Sequence, residues 1–181
     1  PSKQRFIAVW LAVLCLKGLT MHIHGQTWET VDDYQLSASY SHRGSAIAVD
    51  ASGTVFAVGN SFNPLSGVPN YGVVRRSQDQ GVTWQTVDQS AGWDAVTTAA
   101  ASPAGVVVVA GSAAGTAQDP YFYTWRVRLS PDRGVHWSTV GELAAEYGKA
   151  AAACFDSNGA IYVAGLSDSR TLVRRSTDLG V

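Results

Sequence analysis

The sequence is poor in cysteine and in charge, and both shortages exclude classes of protein. Cys15 and Cys154 are its two cysteines, too few for a disulfide framework or a CxxC metal site. Cys154 lies in an apolar run, which predicts a buried, inert thiol. Charged residues make up 15% of the chain and the formal net charge is −1, whereas a nucleic-acid partner requires a basic stripe. We therefore expect no nucleic-acid partner, no cofactor and no metal site.

The N-terminus has the pattern of an export signal. Two basic residues precede an apolar run over residues 6–16, which has signal-peptide length and is too short to cross a bilayer as a helix. The pattern predicts cleavage after Gly25, which gives a signal peptide over residues 1–25 and a mature chain over 26–181. The alternative is a buried N-terminal helix or strand. With cleavage, the protein is secreted, periplasmic or at the cell surface, and meets a membrane only transiently.

Glycine is abundant, at 18 residues, and it marks an internal repeat. Three segments align without gaps: Ala46–Asn60, Thr98–Ser112 and Ala152–Leu166. Each has an apolar stretch, a turn that ends in glycine, a β-rich stretch and a second glycine. The turn glycines are Gly53, Gly105 and Gly159, and the second glycines are Gly59, Gly111 and Gly165. This pattern predicts a hairpin in each repeat, with glycine at the turn position of positive φ.

A second motif follows in each repeat, with the pattern Ser-x-Asp-x-Gly-x-(Thr)-Trp. Its members are Ser77, Asp79, Gly81 and Trp84, then Ser130, Asp132, Gly134 and Trp137, then Ser176, Asp178 and Gly180. The motif resembles the Asp box, or BNR repeat, of sialidases and other β-propellers. Since the Asp and Ser side chains can satisfy backbone groups of a turn, we predict that the motif is structural and that its aspartates are not catalytic.

The resemblance implies an all-β fold, a β-propeller of four-stranded antiparallel blades. Residues 45–88 and 95–140 each predict a blade, and residues 149–181 predict an incomplete one. Residues 27–32 match residues 83–88 at five of six positions, so residues 26–32 predict the outer strand of a further blade. About three blades form an incomplete ring, so we expect the N-terminal part of a larger propeller. The alternative is a small open repeat array or a symmetric oligomer.

Functional residues are expected where the repeats differ. Arg75, Arg128 and Arg174 each fall two residues before the motif serine, and this regular recurrence predicts a structural role. In sialidase-like propellers, the resemblance implies, the active site lies on the face formed by the 2–3 loops and the blade connections. The candidates there are Trp93, Asp119, Tyr121 and Tyr123 for ligand binding, and Asp94 and Glu146 as weak candidate acids. The connections also contain Arg43, Glu142 and Tyr147.

Two functions from different classes fit these residues. The first is a secreted propeller that binds a carbohydrate or protein on the loop face. The alternative is a glycoside hydrolase, exo-α-sialidase-like or xyloglucanase-like, whose catalytic residues lie largely outside this chain. A sialidase requires an arginine triad with an Arg-Ile-Pro motif, which the sequence lacks, and other glycosidases require two suitably spaced carboxylates. An assembly-factor propeller is a third possibility, and the sequence leaves the choice open.

Overall fold

The computed structural model describes residues 28–63, 70–113, 123–145 and 147–180. These residues form eleven strands in three antiparallel sheets and no helix. The first sheet contains β1 (Ser41–Val49), β2 (Val55–Phe62), β3 (Tyr71–Ser77) and β4 (Gln85–Ala91). The second contains β5 (Trp93–Ala101), β6 (Val107–Ala113), β7 (Tyr123–Ser130) and β8 (Ser138–Ala145), and the third β9 (Gly148–Phe155), β10 (Ile161–Ser167) and β11 (Arg170–Ser176). The sheets do not close into a ring.

The sheets follow the predicted repeat, with longer strands. The first spans residues 41–91 and the second 93–145, against the predicted 45–88 and 95–140. The fourth strand begins at Gln85 because the three residues before it lie in the motif turn. Residues 28–32, predicted as the outer strand of a further blade, pair with none of the described strands, and their place in such a blade stays a prediction. Residues 1–27, including the predicted signal peptide, lie outside the described residues.

Two apolar cores lie between the three sheets, one between the first and second sheets and one between the second and third. Strand β6 contributes to both cores. Val107 and Val109 pack into the first core with Phe56 and Val74 of the first sheet. Val108 on the opposite face of the strand packs into the second core. This alternation follows from the two-residue period of a strand. Since both faces of β6 are buried, its sequence is a continuous apolar run instead of an alternating one.

The second glycine of each repeat recurs because the neighbouring backbone leaves no room for a side chain. A Cβ at Gly59 would lie 2.0 Å from the carbonyl oxygen of Arg43. The equivalent distances are 1.9 Å from Ala95 O for Gly111 and 2.1 Å from Lys149 O for Gly165. Register shifts in strand pairing lie beside all three contacts. The repeat therefore places Arg43, Ala95 and Lys149 at equivalent positions of the first strand of each sheet. We call these three strands, β1, β5 and β9, the innermost strands.

The serine and aspartate of the second motif close the turn between the third and fourth strands. Ser77 Oγ donates to Asp79 Oδ1 at 2.9 Å and accepts from Gly81 N–H at 2.8 Å. Trp84 Nε1 donates to Gly81 O at 3.1 Å. The second copy repeats all three bonds, and the third repeats the bonds of its serine. These side chains stabilise the turn by satisfying its backbone groups.

The prediction of a buried thiol at Cys154 was wrong, because the thiol is exposed. It lies on β9, where successive side chains point to opposite faces. Ala153 and Phe155 pack against the second core, so Cys154 points away from it. The apolar run was therefore a poor guide to burial at this position.

Candidate functional site

At one end of the three sheets, the first strand of each sheet (β1, β5 and β9) begins and the second strand (β2, β6 and β10) ends. We refer to this end of the strands as an edge of the sheets. Ser41 pairs with Phe62, Trp93 with Ala113, and Gly148 with Ser167 at this edge. The motif turns lie at the opposite edge, where β2 begins and β3 ends. We call the first edge the loop face. It is the face on which the sequence predicted a ligand site.

A cavity of about 210 Å³ opens on the loop face among the three innermost strands. We call it the central pocket. Its lining residues are Arg43, Gly44, Ser45, Asn60, Ala95, Val96, Thr97 and Lys149. The lining contains two cations and no carboxylate. Arg43 and Lys149, at equivalent positions in the first and third sheets, are both exposed.

Asn60 is the most buried polar side chain of the central pocket, at 9% exposed. Its Oδ1 accepts a hydrogen bond of 2.7 Å from Val96 N–H, which links the first sheet to the second. Its Nδ2 is buried and has no hydrogen-bond partner among the described residues. Thr97 lies beside it and donates to the backbone carbonyl of Ala150. The pocket is thus braced between sheets while one buried amide donor stays unsatisfied, an unfavourable state unless something accepts from it.

An aromatic pair lies near the central pocket on the same face. The Tyr123 and Tyr147 rings are stacked, with centroids 6.4 Å apart and an interplanar angle of 29°. Tyr147 is 58% exposed. Gly148 joins Tyr147 to Lys149, and a Cβ on it would lie 2.7 Å from Tyr123 O. The close packing of this connection therefore places an exposed ring two residues from a pocket cation.

The other predicted site residues do not line the central pocket where the structure describes them. Trp93 is 1% exposed, packs in the first core and donates from Nε1 to Ser90 Oγ at 2.9 Å, so its ring offers no surface for stacking. Asp94 is exposed at the start of β5, where it accepts a 2.9 Å hydrogen bond from Ser112 Oγ. Asp119, Tyr121 and Glu146 lie outside the described residues.

Asn60, Thr97 and Lys149 are site residues that the sequence analysis missed. Asn60 directly follows a second glycine, where the other repeats have Ser112 and Leu166. Aligning the first strands on their contacts with these glycines would have placed Lys149 beside the candidate Arg43. The missing information was the register shift, which no repeat motif records.

Two of the three arginines before the motif serine, Arg75 and Arg128, form ion pairs. Arg75 donates from Nε and Nη2 to Asp32 at 2.9 and 2.7 Å, and this hydrogen-bonded carboxylate raises the pKa of Arg75. Arg128 makes the same two-bond contact with Asp88, at 2.8 Å each. Asp88 lies on the fourth strand of the preceding sheet, and Asp32 precedes β1. These two arginines have the structural role expected from their recurrence.

The motif aspartates are occupied as hydrogen-bond acceptors. The Thr83 side chain and backbone, with Ser77, lower the pKa of Asp79 to about 2. Backbone and side-chain hydrogen bonds from His136 also lower the pKa of Asp132. A general acid at neutral pH needs a raised carboxyl pKa instead. Among the described residues there is also no group of three or more His, Cys, Asp or Glu that could hold a metal ion.

Comparisons with known proteins support the fold through solved structures alone. No family profile matches the chain, and no curated protein matches it in sequence. A GH93 alpha-L-arabinofuranosidase of Fusarium graminearum, solved with arabinobiose, matches with a TM-score of 0.57 and 14% identity over 79% of this chain and 48% of its own. A Penicillium chrysogenum alpha-L-arabinanase, also with arabinobiose, matches with a TM-score of 0.54 and 16% identity over 76% of this chain and 47% of its own.

These matches identify the architecture. The chain spans about half the length of the matched structures. At such low identity the likeness concerns the fold. Together with the antiparallel sheets it confirms the predicted all-β propeller fold, with sheets as blades that do not close into a ring. No helix in the described part of the chain is long and apolar enough to cross a membrane.

Proposed function

We propose that this chain is part of an exported Asp-box β-propeller that binds a carbohydrate on its loop face. The observation that carries the proposal is the placement of the exposed Tyr147 ring two residues from a donor-lined pocket. Carbohydrates offer apolar ring faces and many hydroxyl oxygens. A stacked aromatic beside a few polar groups is the composition expected of a small-molecule site.

The aromatic pair supplies the stacking surface. Tyr123 supports one side of Tyr147, with its ring 29° from parallel, so the exposed ring is held in place before a ligand arrives. A ring ordered in advance loses less conformational entropy on binding. Asp94 is the candidate acceptor for sugar hydroxyls on the same face, and Tyr121 and Asp119 remain proposed contacts from the neighbouring loop.

The matched structures support a carbohydrate ligand. Both were solved with arabinobiose, and both are propeller glycosidases. The membership of the Asp-box group rests on the three in-phase motifs and on the repeated serine and aspartate hydrogen bonds. Export rests on the sequence of residues 1–25. N-terminal sequencing of exported protein should find Gln26, and a retained residue 1 would contradict cleavage.

Glycoside hydrolysis is the second candidate function, favoured by the activity named for those structures. It requires a proton donor and a second carboxylate at suitable separation. Asp94 is adjacent to a lining residue of the central pocket, and Glu146 is the proposed partner on the next connection. Release of reducing ends from arabinan, abolished by Asp94→Asn, would establish this activity. Full turnover by that variant would remove Asp94 from the reaction.

Calorimetric titration with arabino-oligosaccharides tests the binding function. We expect Tyr147→Ala to weaken binding about fivefold, since stacking on an aromatic ring is worth about 1 kcal/mol. Tyr147→Phe keeps the ring and should bind almost as tightly as the natural protein. Val135→Ala, on an exposed residue at the opposite edge, is the control for surface changes. Equal affinities of all three variants would contradict the proposed site.

A further inference from the structure

We propose that the central pocket binds the carboxylate or sulfate group of an acidic saccharide. This deepens the proposed function, on which it rests, by naming the charge of the ligand. Arg43 and Lys149 would supply positive charge, and Asn60 would supply a directed amide donor. Tyr147 would stack against the adjoining sugar.

The first support is the state of the two cations. Three other arginines, Arg75, Arg126 and Arg128, are each paired with a carboxylate 2.7 to 2.8 Å away. Arg43 and Lys149 form no ion pair within the described part of the chain. Two cations on one small cavity repel each other unless an anion lies between them. Their arrangement is therefore complementary to a negatively charged group.

The second support is the orphaned amide of Asn60, which is independent of the charges. The side chain is held by the bond from Val96 N–H, and this leaves Nδ2 as its free donor. A buried donor without a partner is rare and calls for an acceptor. Carboxylate and sulfate oxygens are acceptors only, so they match a site whose free groups are donors.

The size of the cavity limits what enters it. About 210 Å³ lies below the range of about 300–1,000 Å³ of drug-sized ligand pockets. It accommodates one charged group and part of one sugar, with the rest of the chain lying outside. Tyr147 is exposed, is not part of the pocket lining, and is joined to Lys149 through the closely packed Gly148. The arrangement fits a saccharide with a charged residue inward and a neighbouring ring on the tyrosine.

Titration of the intact chain with three saccharides tests the proposal. Trigalacturonate carries carboxylates, a chondroitin sulfate tetrasaccharide carries carboxylates and sulfates, and arabinotriose is neutral. We expect at least one acidic saccharide to bind about tenfold or more tightly than arabinotriose, because hydrogen bonds to charged groups are the stronger ones. High salt should reduce this preference. Comparing the chondroitin sulfate tetrasaccharide with its desulfated form distinguishes sulfate from uronate.

Three pocket variants and one control variant locate the effect. Arg43→Gln and Lys149→Gln should each weaken binding of the acidic saccharide about tenfold and weaken arabinotriose binding less, so that the acidic preference falls. Arg170→Gln is the matched control, since it removes one exposed cation from the loop face outside the pocket. Asn60→Asp keeps the acceptor for Val96 N–H and replaces the free donor with a negative oxygen. It should abolish the acidic preference, and its unfolding midpoint in urea shows whether it is folded.

The outcomes distinguish the acidic preference proposed here from the carbohydrate binding on which it rests. Neutral and acidic saccharides binding equally would overturn the acidic preference and leave carbohydrate binding intact. An acidic preference that Arg170→Gln reduces as much as Arg43→Gln would place the charge effect on the face as a whole and overturn the pocket. No binding of any saccharide would overturn both proposals.

Discussion

The two interfaces between neighbouring blades use the same repeat and differ in their charged residues. In the first interface, between blades one and two, Arg128 is held by both oxygens of Asp88. In the second, between blades two and three, Gly141 occupies the position of that aspartate, and the equivalent Arg174 is exposed. A groove of about 370 Å³ lies there, lined by both residues. The recurring arginine therefore links neighbouring blades only where the aspartate on the preceding blade is also present.

The first interface has a further link at the edge of the motif turns. Asp50 pairs with Arg133 at 3.0 Å. Burial alone would raise the pKa of Asp50, but hydrogen bonds from Ser52, Thr54 and Arg133 outweigh it and lower the pKa. The corresponding position in the next motif is Leu179, which cannot form an ion pair. Among the described residues, the first interface therefore has two ion pairs that the second interface lacks.

The largest effect should come from breaking the first interface. Asp88→Ala leaves the Arg128 guanidinium, 15% exposed, without its carboxylate. We expect a loss of about 2 kcal/mol in the free energy of unfolding, less than for a fully buried pair because some solvent reaches the site. Urea denaturation followed by tryptophan fluorescence measures it. Glu142→Ala removes the more exposed partner of Arg126 and should cost about 0.5 kcal/mol, so equal losses would contradict the comparison.

A smaller effect should come from adding the missing charge to the second interface. A Cβ at Gly141 would have its nearest neighbour at 3.8 Å, so the backbone at this position has room for the Cβ of Gly141→Asp. We expect a coupling of about 0.5 kcal/mol between the introduced carboxylate and Arg174, measured as a double-mutant cycle with Arg174→Gln. Gly141→Asn supplies the same shape without charge. The idea fails if the asparagine and aspartate variants gain equally.

The smallest effect should be the pH response of a motif turn common to all blades. The pKa of Asp79 is about 2 in the folded protein, below its ordinary value near 3.9. Its stabilising effect is therefore present above about pH 4 and is lost as the pH falls through about 2. Asp79→Asn should lower the urea midpoint at pH 5 and lose most of that difference by pH 2. A difference independent of pH would show that the charge does not matter.

Features of the fold that depend on local sequence were predictable. The turn glycines Gly53, Gly105 and Gly159 adopt φ between 83° and 87°, as their place in the repeat requires. An apolar Val82 and a β-forming Trp84 suggest that the fourth strand starts at Val82, but both belong to the motif turn, and the strand begins at Gln85. Residues 28–32 have the sequence of a fourth strand, yet a strand requires a partner that the described residues do not provide.

The candidate site was predictable only as a face. Its residues come from three sheets, and Asn60, Thr97 and Lys149 meet because of register shifts that depend on tertiary pairing. Trp93 shows the reverse error, since an aromatic residue on a connection suggested a ligand contact and proved to be core. Composition identifies which residues could act, but not which of them solvent can reach.

The glycines under the innermost strands have a consequence for engineering ligand preference. Because Gly59, Gly111 and Gly165 accept no side chain beneath the carbonyls of Arg43, Ala95 and Lys149, randomising them would return mostly misfolded protein. Useful diversity lies one residue further along each second strand, at Asn60, Ser112 and Leu166, and on the three residues above the glycines. A library confined to those six positions would vary the chemistry of the propeller mouth while keeping the glycines that its backbone requires.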